Sequence, residues 1–226
     1  MAARLSSERA GTLEAGLYSA GEGREFTVIP YRGKFLLRFA GAAESFVLSV
    51  DPGSLGGKLL KYDTGAAALS VSVRGGVTLY AAEAPNGLPA TRQGAAPALS
   101  PAPVSTTELR SALSDEAAHF SYSGNLVLHF VIDPAILSNP ETRALAFDAL
   151  ANTQLGIERL IASTEGKRAL GRRISTVKLE RGVKPGLALS GRNLVVRIAP
   201  PDGYLGRVSS HAVASQLAKL LAVSSE

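Results

Sequence analysis

Residues able to move protons or attack a carbonyl are sparse in this chain. It has three histidines and no cysteine. Thiolate nucleophiles, disulfides, thiolate zinc sites and iron–sulfur clusters are thereby excluded. His129 lies in the apolar run NLVLHFVID, which reads as a strand. Alternation puts His129 and Asp133 on one face, with Ser123 upstream. Strand neighbours four apart stand about 13 Å from each other, beyond direct hydrogen bonding. A Ser/His/Asp arrangement therefore needs a partner from elsewhere in the fold. A hydrolase with a dispersed polar site built on His129, Asp133 and Ser175 is one reading. The bland reading of His129 is a strand histidine flanked by apolar neighbours. His119 closes a helix, where an imidazolium suits the dipole. No two histidines stand at metal-ligand spacing, so no metal site is expected, nor any cofactor.

Ser175-Thr176-Val177-Lys178 matches S-x-x-K, which serves as a nucleophile motif only at a helix start. Here it sits in an alternating, strand-like run that sends Ser175 and Lys178 to opposite faces, and we read it as a chance match. Gly57-Lys58 and Gly166-Lys167 lack the other elements of a phosphate loop, and Gly21-Glu22-Gly23 lacks the third glycine of a dinucleotide fingerprint.

The best small-ligand candidate is PPDGYLGRVSSH, residues 200–211. A proline-stiffened turn delivers Arg207, Ser209 and Ser210 to a helix N-terminus, whose free N–H groups favour an anion. Arg172 and Arg173 are further candidates for the same anion. The competing reading is a loop followed by an ordinary serine N-cap.

Charge points the same way. Eleven of the 24 basic residues but three of the 19 acids fall in residues 167–226, which gives that segment +8 and the remainder −3. Arg168, Arg172, Arg173, Arg181 and Arg207 could grip an anionic polymer. Tyr204 is the single aromatic among the last 60 residues, so stacking on bases is not expected and any nucleic-acid binding would be electrostatic.

These side chains must be positioned by two kinds of element. GLYSA, EFTVIPY, GKFLLRF, ESFVLSV, KLLKYD, ALSVSV and GVTLYAA are short runs rich in β-branched and aromatic residues, each bounded by Gly, Pro or Asp. Leu69, Val71 and Val73 alternate with Ser70, Ser72 and Arg74, as in a half-buried strand. Gly75-Gly76 then predicts a tight two-residue hairpin, and Asp63-Thr64-Gly65 and Pro85-Asn86-Gly87 predict turns. Residues 84–104 hold five prolines and almost no charge, which reads as a linker or strap between domains.

Beyond the strap the period changes. Ser105 and Glu108 form a capping box that opens a helix to about His119. Asn139 and Pro140 open a second helix ending near Gly166, and Ser209 opens a third with Val213, Leu217, Leu220 and Leu221 on one face. ISTVKLE and NLVVRIA read as strands. The fold class is therefore α+β: an antiparallel β meander over 14–83 (a sandwich or small barrel), the 84–104 strap, and a mixed α+β region with three helices over 105–226. No apolar run approaches the ~20 residues that span a bilayer. The first residues lack the apolar core of an export leader, so the chain reads as cytoplasmic, or as periplasmic or exported if it is a mature form.

FLLRFAGAAESFVLS (35–49) and KYDTGAAALSVSVRGGVTLYAAEAPNGLPA (61–90) resemble an uncharacterised bacterial, mostly alphaproteobacterial, family of domains of unknown function. The likeness covers about the first half of the chain and rests on structural motifs. It implies export and brings no activity, ligand or catalytic residue. The leading expectation is a non-catalytic binding or accessory protein of the bacterial envelope. The dispersed-site hydrolase and the electrostatic polyanion binder are its alternatives, and a small anion or an anionic polymer is the expected kind of partner.

Overall fold

The computed structural model describes residues 13–21, 23–99 and 102–223. The N-terminal stretch read for a leader, and Glu22 of the Gly-Glu-Gly sequence, lie outside the described residues. The chain divides into two compact units, Met1–Leu99 and Ser100–Glu226.

The first unit is a closed antiparallel barrel of eight strands taken in chain order. They are β1 (Gly16–Ala20), β2 (Arg24–Tyr31), β3 (Lys34–Phe39), β4 (Phe46–Pro52), β5 (Lys58–Lys61), β6 (Ala67–Val71), β7 (Val77–Ala81) and β8 (Ala84–Gly94). Alternation decides which side chains fill the lumen. Val28, Leu37, Leu48, Leu60, Leu69 and Leu79 point inward and are fully buried. Eight strands leave an interior about wide enough for side chains to fill. Rings line one end of it. Tyr18 stacks on Phe26 at 5.5 Å, Phe26 meets Phe39 at 6.2 Å, and Phe46 meets Tyr62 edge-on at 5.1 Å.

Two segments of this unit differ from their sequence-based reading. Residues 84–94, expected in a linker, form β8 and close the ring by pairing with both β7 and β1. Proline cannot donate to a ladder; Pro85 falls where the β7–β8 register slips, between Leu79↔Leu88 and Ala81↔Ala84, and Pro89 pairs with Thr78 just before the β1–β8 ladder begins at Ala90. Gly87, expected in a turn, lies inside this strand with φ +84°, where a Cβ would stand 2.4 Å from Thr78 Cγ2. The β6–β7 connection is also longer than a two-residue hairpin. Val71 pairs with Val77, Gly75 N–H donates to Ser72 O and Ser72 N–H donates to Gly76 O. This is a type I turn followed by a bulge, with positive φ at Gly75 alone of the two glycines. Val73 and Arg74 consequently occupy the exposed tip, and Val73 is not the core-facing strand residue that alternation suggested.

The second unit is a mixed four-stranded sheet with helices on one face. Its strands are β9 (His129–Ile132), β10 (Thr176–Arg181), β11 (Gly186–Ser190) and β12 (Asn193–Ile198), in the order β11-β12-β10-β9. β10 runs parallel to both β9 and β12, and β11 and β12 form an antiparallel hairpin. The helices are α1 (Thr106–Tyr122), α2 (Pro134–Leu137), α3 (Pro140–Ile161), α4 (Thr164–Arg173) and α5 (Ser210–Leu221). Both bonds of the Ser105–Glu108 capping box are present, and Asn139 and Ser209 cap α3 and α5 as expected. The helix expected to run to Gly166 instead stops at Ile161, where Ser163 caps the separate helix α4. The core joins Phe120, Leu150 and Leu217 of the helices to Val177, Leu179, Leu194 and Val196 of the sheet. Thr176, Lys178, Glu180 and Arg197 occupy the other strand face.

Gly156 of α3 sits where a Cβ would lie 2.4 Å from Val213 of α5, so the small residue sets how closely these two helices approach. No helix among the described residues is long and apolar enough to cross a membrane.

Candidate functional site

The 200–211 segment folds as a 3-10 turn over Pro200–Gly206 followed by the N-terminus of α5. Ala199 N–H donates to Gly206 O at 2.7 Å and cinches the loop. This delivers the Arg207 side chain, 1% exposed, against Asp148 of α3, to which its Nε donates. The guanidinium also lies 5.3 Å from the Tyr204 ring centroid. A buried cation without a counter-charge is expensive, and here a carboxylate and an aromatic face supply compensation. Beside them Asn152 Nδ2 donates to Val208 O at 2.9 Å, and Ser209 Oγ accepts from Ala212 N–H at 3.1 Å as the cap of α5. Ser210 is fully buried.

The structure thus brings Arg207, Ser209 and Ser210 together, with the charge of Arg207 balanced by Asp148 and the Ser209 hydroxyl engaged in capping. Arg172 and Arg173 stand elsewhere, exposed on the last turn of α4, where the Arg172 carbonyl accepts from Arg192 Nη1 at 2.9 Å.

His129 is exposed on β9, an edge strand, between exposed Val127 and Val131. Asp133 caps α2, its Oδ1 accepting from Ala135 N–H at 2.9 Å. Ser175 lies near His129 only through the backbone, where His129 N–H donates to Ser175 O. The residue in register with His129 is Thr176, one position further on. Among these three, no side-chain relay is formed.

A second polar cluster joins α1 to α3. His119 Nε2 lies 2.8 Å from Glu158 Oε1 and 3.4 Å from Ser123 Oγ. Gln154 Nε2 donates to the same Glu158 oxygen at 3.2 Å, while Ser123 Oγ donates to His119 O at 2.6 Å. A serine–histidine relay needs the nucleophile on one ring nitrogen and the orienting carboxylate on the other. Here both neighbours address Nε2, so the geometry is that of a structural hydrogen-bonded cluster and not of a relay. On the same helix, burial pushes the Glu116 carboxyl above the usual carboxylate range, His119 opposes that rise, and Glu158 and Asp115 add to it. Asp148, Asn152 and Glu158 are ordinary helical polar residues in the sequence, because the partners Arg207, Val208 and His119 lie tens of positions away, and nothing local foretells the burial of Glu116. Among the described residues there is no group of three or more His, Asp or Glu able to hold a metal ion.

Fold and side chains together define an α+β protein: an eight-stranded up-and-down barrel, and a helix-covered mixed sheet in which Asp133 and Ser209 cap helices and Arg207 pairs with Asp148. Residues 1–217 match the family model described as Domain of unknown function (DUF4908), and the chain belongs to that family. No curated protein and no solved structure matches it.

Proposed function

We propose that the protein is a non-catalytic binding or accessory module of the bacterial envelope. The observation that carries this reading is how the reactive side chains are engaged. Asp133 and Ser209 cap helices, Arg207 is matched by Asp148, and His119 meets carboxylate and hydroxyl through one nitrogen. A group already engaged in the fold must break a bond before it can act on a substrate. The envelope part of the reading is supported by the resemblance of residues 35–49 and 61–90 to usually exported bacterial proteins. The test has two arms. Purified protein offered ester, phosphate and peptide substrates should show no turnover, and turnover abolished by one polar substitution would overturn the non-catalytic reading. Fractionation of the native host should recover the protein with the envelope; recovery in the cytosol would overturn that part alone.

A second reading, an electrostatic binder of anionic polymers, is favoured by α4. Lys167, Arg168, Arg172 and Arg173 are all exposed on this one helix, against Glu165 as its acid. Phosphate contacts of this kind weaken steeply with salt. Retention on heparin or duplex DNA beyond physiological salt, lost when Arg168 and Arg172 become serine, would support it; elution below that salt would end it.

A further inference from the structure

The barrel end formed by the β2–β3, β4–β5 and β6–β7 turns has a composition that the fold does not require. Leu55 is at the tip of the β4–β5 turn, 97% exposed, with φ +52°. A β-carbon disfavours that left-handed region, and Leu lacks the short polar side chain with which Asn or Asp offsets the cost locally. Glycine occupies positions 53, 56 and 57 around it. Burial does not account for the leucine, since its side chain is almost bare, and neither does backbone preference, which would favour a fourth glycine. An observed outlier of this kind is a reason to look for a role outside the folded chain.

The neighbours of Leu55 supply that role. A Cβ on Gly56 would lie 3.4 Å from Val73 Cγ2, so the two turns touch. Val73 is 42% exposed, and Val50, at the end of β4, is 37% exposed. The same end carries basic residues. Lys34 opens β3 beside the end of β4, Lys58 opens β5, and Arg74 shares the β6–β7 tip with Val73. The acid here, Asp51, is bonded to Lys61 at 2.7 Å. The result is an aliphatic tip on a barrel end that also carries basic residues.

We propose that this end of the barrel docks on an anionic lipid surface. Leu55 and Val73 enter the boundary of the acyl layer while Lys34, Lys58 and Arg74 lie at the phosphate level. Membrane-surface binding scales with buried apolar area plus attraction to anionic headgroups, and this end offers both at once. A nucleic acid would use the cations and have no place for the leucine. With so small an apolar tip, binding is reversible and salt-sensitive. The inference goes beyond the reading of α4 and stands or falls on different residues.

The experiment is sedimentation of the full chain with phosphatidylglycerol-containing vesicles and with pure phosphatidylcholine vesicles. The unsubstituted protein should partition onto the first and not the second. Leu55→Gly should lower partitioning about tenfold, the scale of one leucine leaving an apolar phase. Its melting temperature should rise, because the backbone strain is relieved, so a folding defect cannot explain the loss. Lys58→Ser and Arg74→Ser should each cost about fivefold. The proposal is overturned if the protein ignores anionic vesicles or if Leu55→Gly leaves partitioning unchanged. Two further results would overturn it. One is Leu55-dependent self-association without lipid, which would identify a second copy as the occupant. The other is capture of duplex DNA that depends on Lys58 and Arg74 but not on Leu55.

Discussion

Asp148 and Arg207 lie 59 positions apart in the chain and meet as an ion pair beneath the turn that precedes α5, with the arginine side chain almost wholly removed from solvent. Removing one partner of such a pair costs far more than the pair contributes over an apolar replacement. Asp148→Ala should therefore destabilise the protein by on the order of 3 kcal/mol. The double variant Asp148→Leu/Arg207→Met should recover much of that loss. Urea unfolding with a shared m-value would measure both, and equal losses in the single and double variants would contradict the account.

The Gly156–Val213 approach reverses a usual rule. In an exposed helix interior Gly→Ala stabilises by about 1 kcal/mol. Here the added methyl would stand 2.4 Å from both Cβ and Cγ1 of Val213, so Gly156→Ala should lower the melting temperature. Val213→Ala, itself destabilising through the cavity it leaves, should become less so in the Gly156→Ala background. A double-mutant cycle reads that coupling directly.

Glu116 carries a pH signature. Its folded pKa is raised by burial, so the folded state holds this proton more tightly than the unfolded chain does. Stability from this group is fully present below the unfolded carboxyl pKa of about 4.3 and is lost as pH rises through the folded value. Glu116→Gln should thus raise stability at neutral pH, with the gain shrinking as pH falls toward 4.3. A gain independent of pH would point to changed packing instead of the charge.

At Gly87, φ of +84° and the close methyl of Thr78 act together. Gly87→Ala should cost more than the ~1–2 kcal/mol of the left-handed backbone alone. Thr78→Ser, which removes the colliding methyl, should return part of the excess and leave the backbone part. Chemical denaturation of the four proteins separates the two contributions.

How much of this was legible depended on range. The capping box at Ser105, the Asn139–Pro140 start of α3 and the Ser209 cap involve partners within three residues, and local spacing exposes them. Seven barrel strands announced themselves as short runs rich in β-branched and aromatic residues, bounded by turn residues. The eighth did not, because its prolines and alanines resemble a linker and only closure against β1 and β7 makes it a strand. Val73 continued an alternating pattern past the last ladder pair at Val71, and a turn bond from Gly75 to Ser72, invisible to periodicity, placed it at the tip. Arg207, Ser209 and Ser210 are chain neighbours and so stay together in the fold, Arg172 and Arg173 lie apart on α4, and nothing local marked Asp148 as the partner that balances Arg207.

The pairing of β1 with β8 has a consequence for biosynthesis. Gly94, the last residue of the ring, pairs with Leu17 near its beginning. Until residue 94 has left the ribosome, every earlier strand belongs to an open sheet with two unsatisfied edges, the exposure that invites pairing with other chains. Ring closure therefore waits for β8, however the earlier strands assemble, and both edges stay open until it is made.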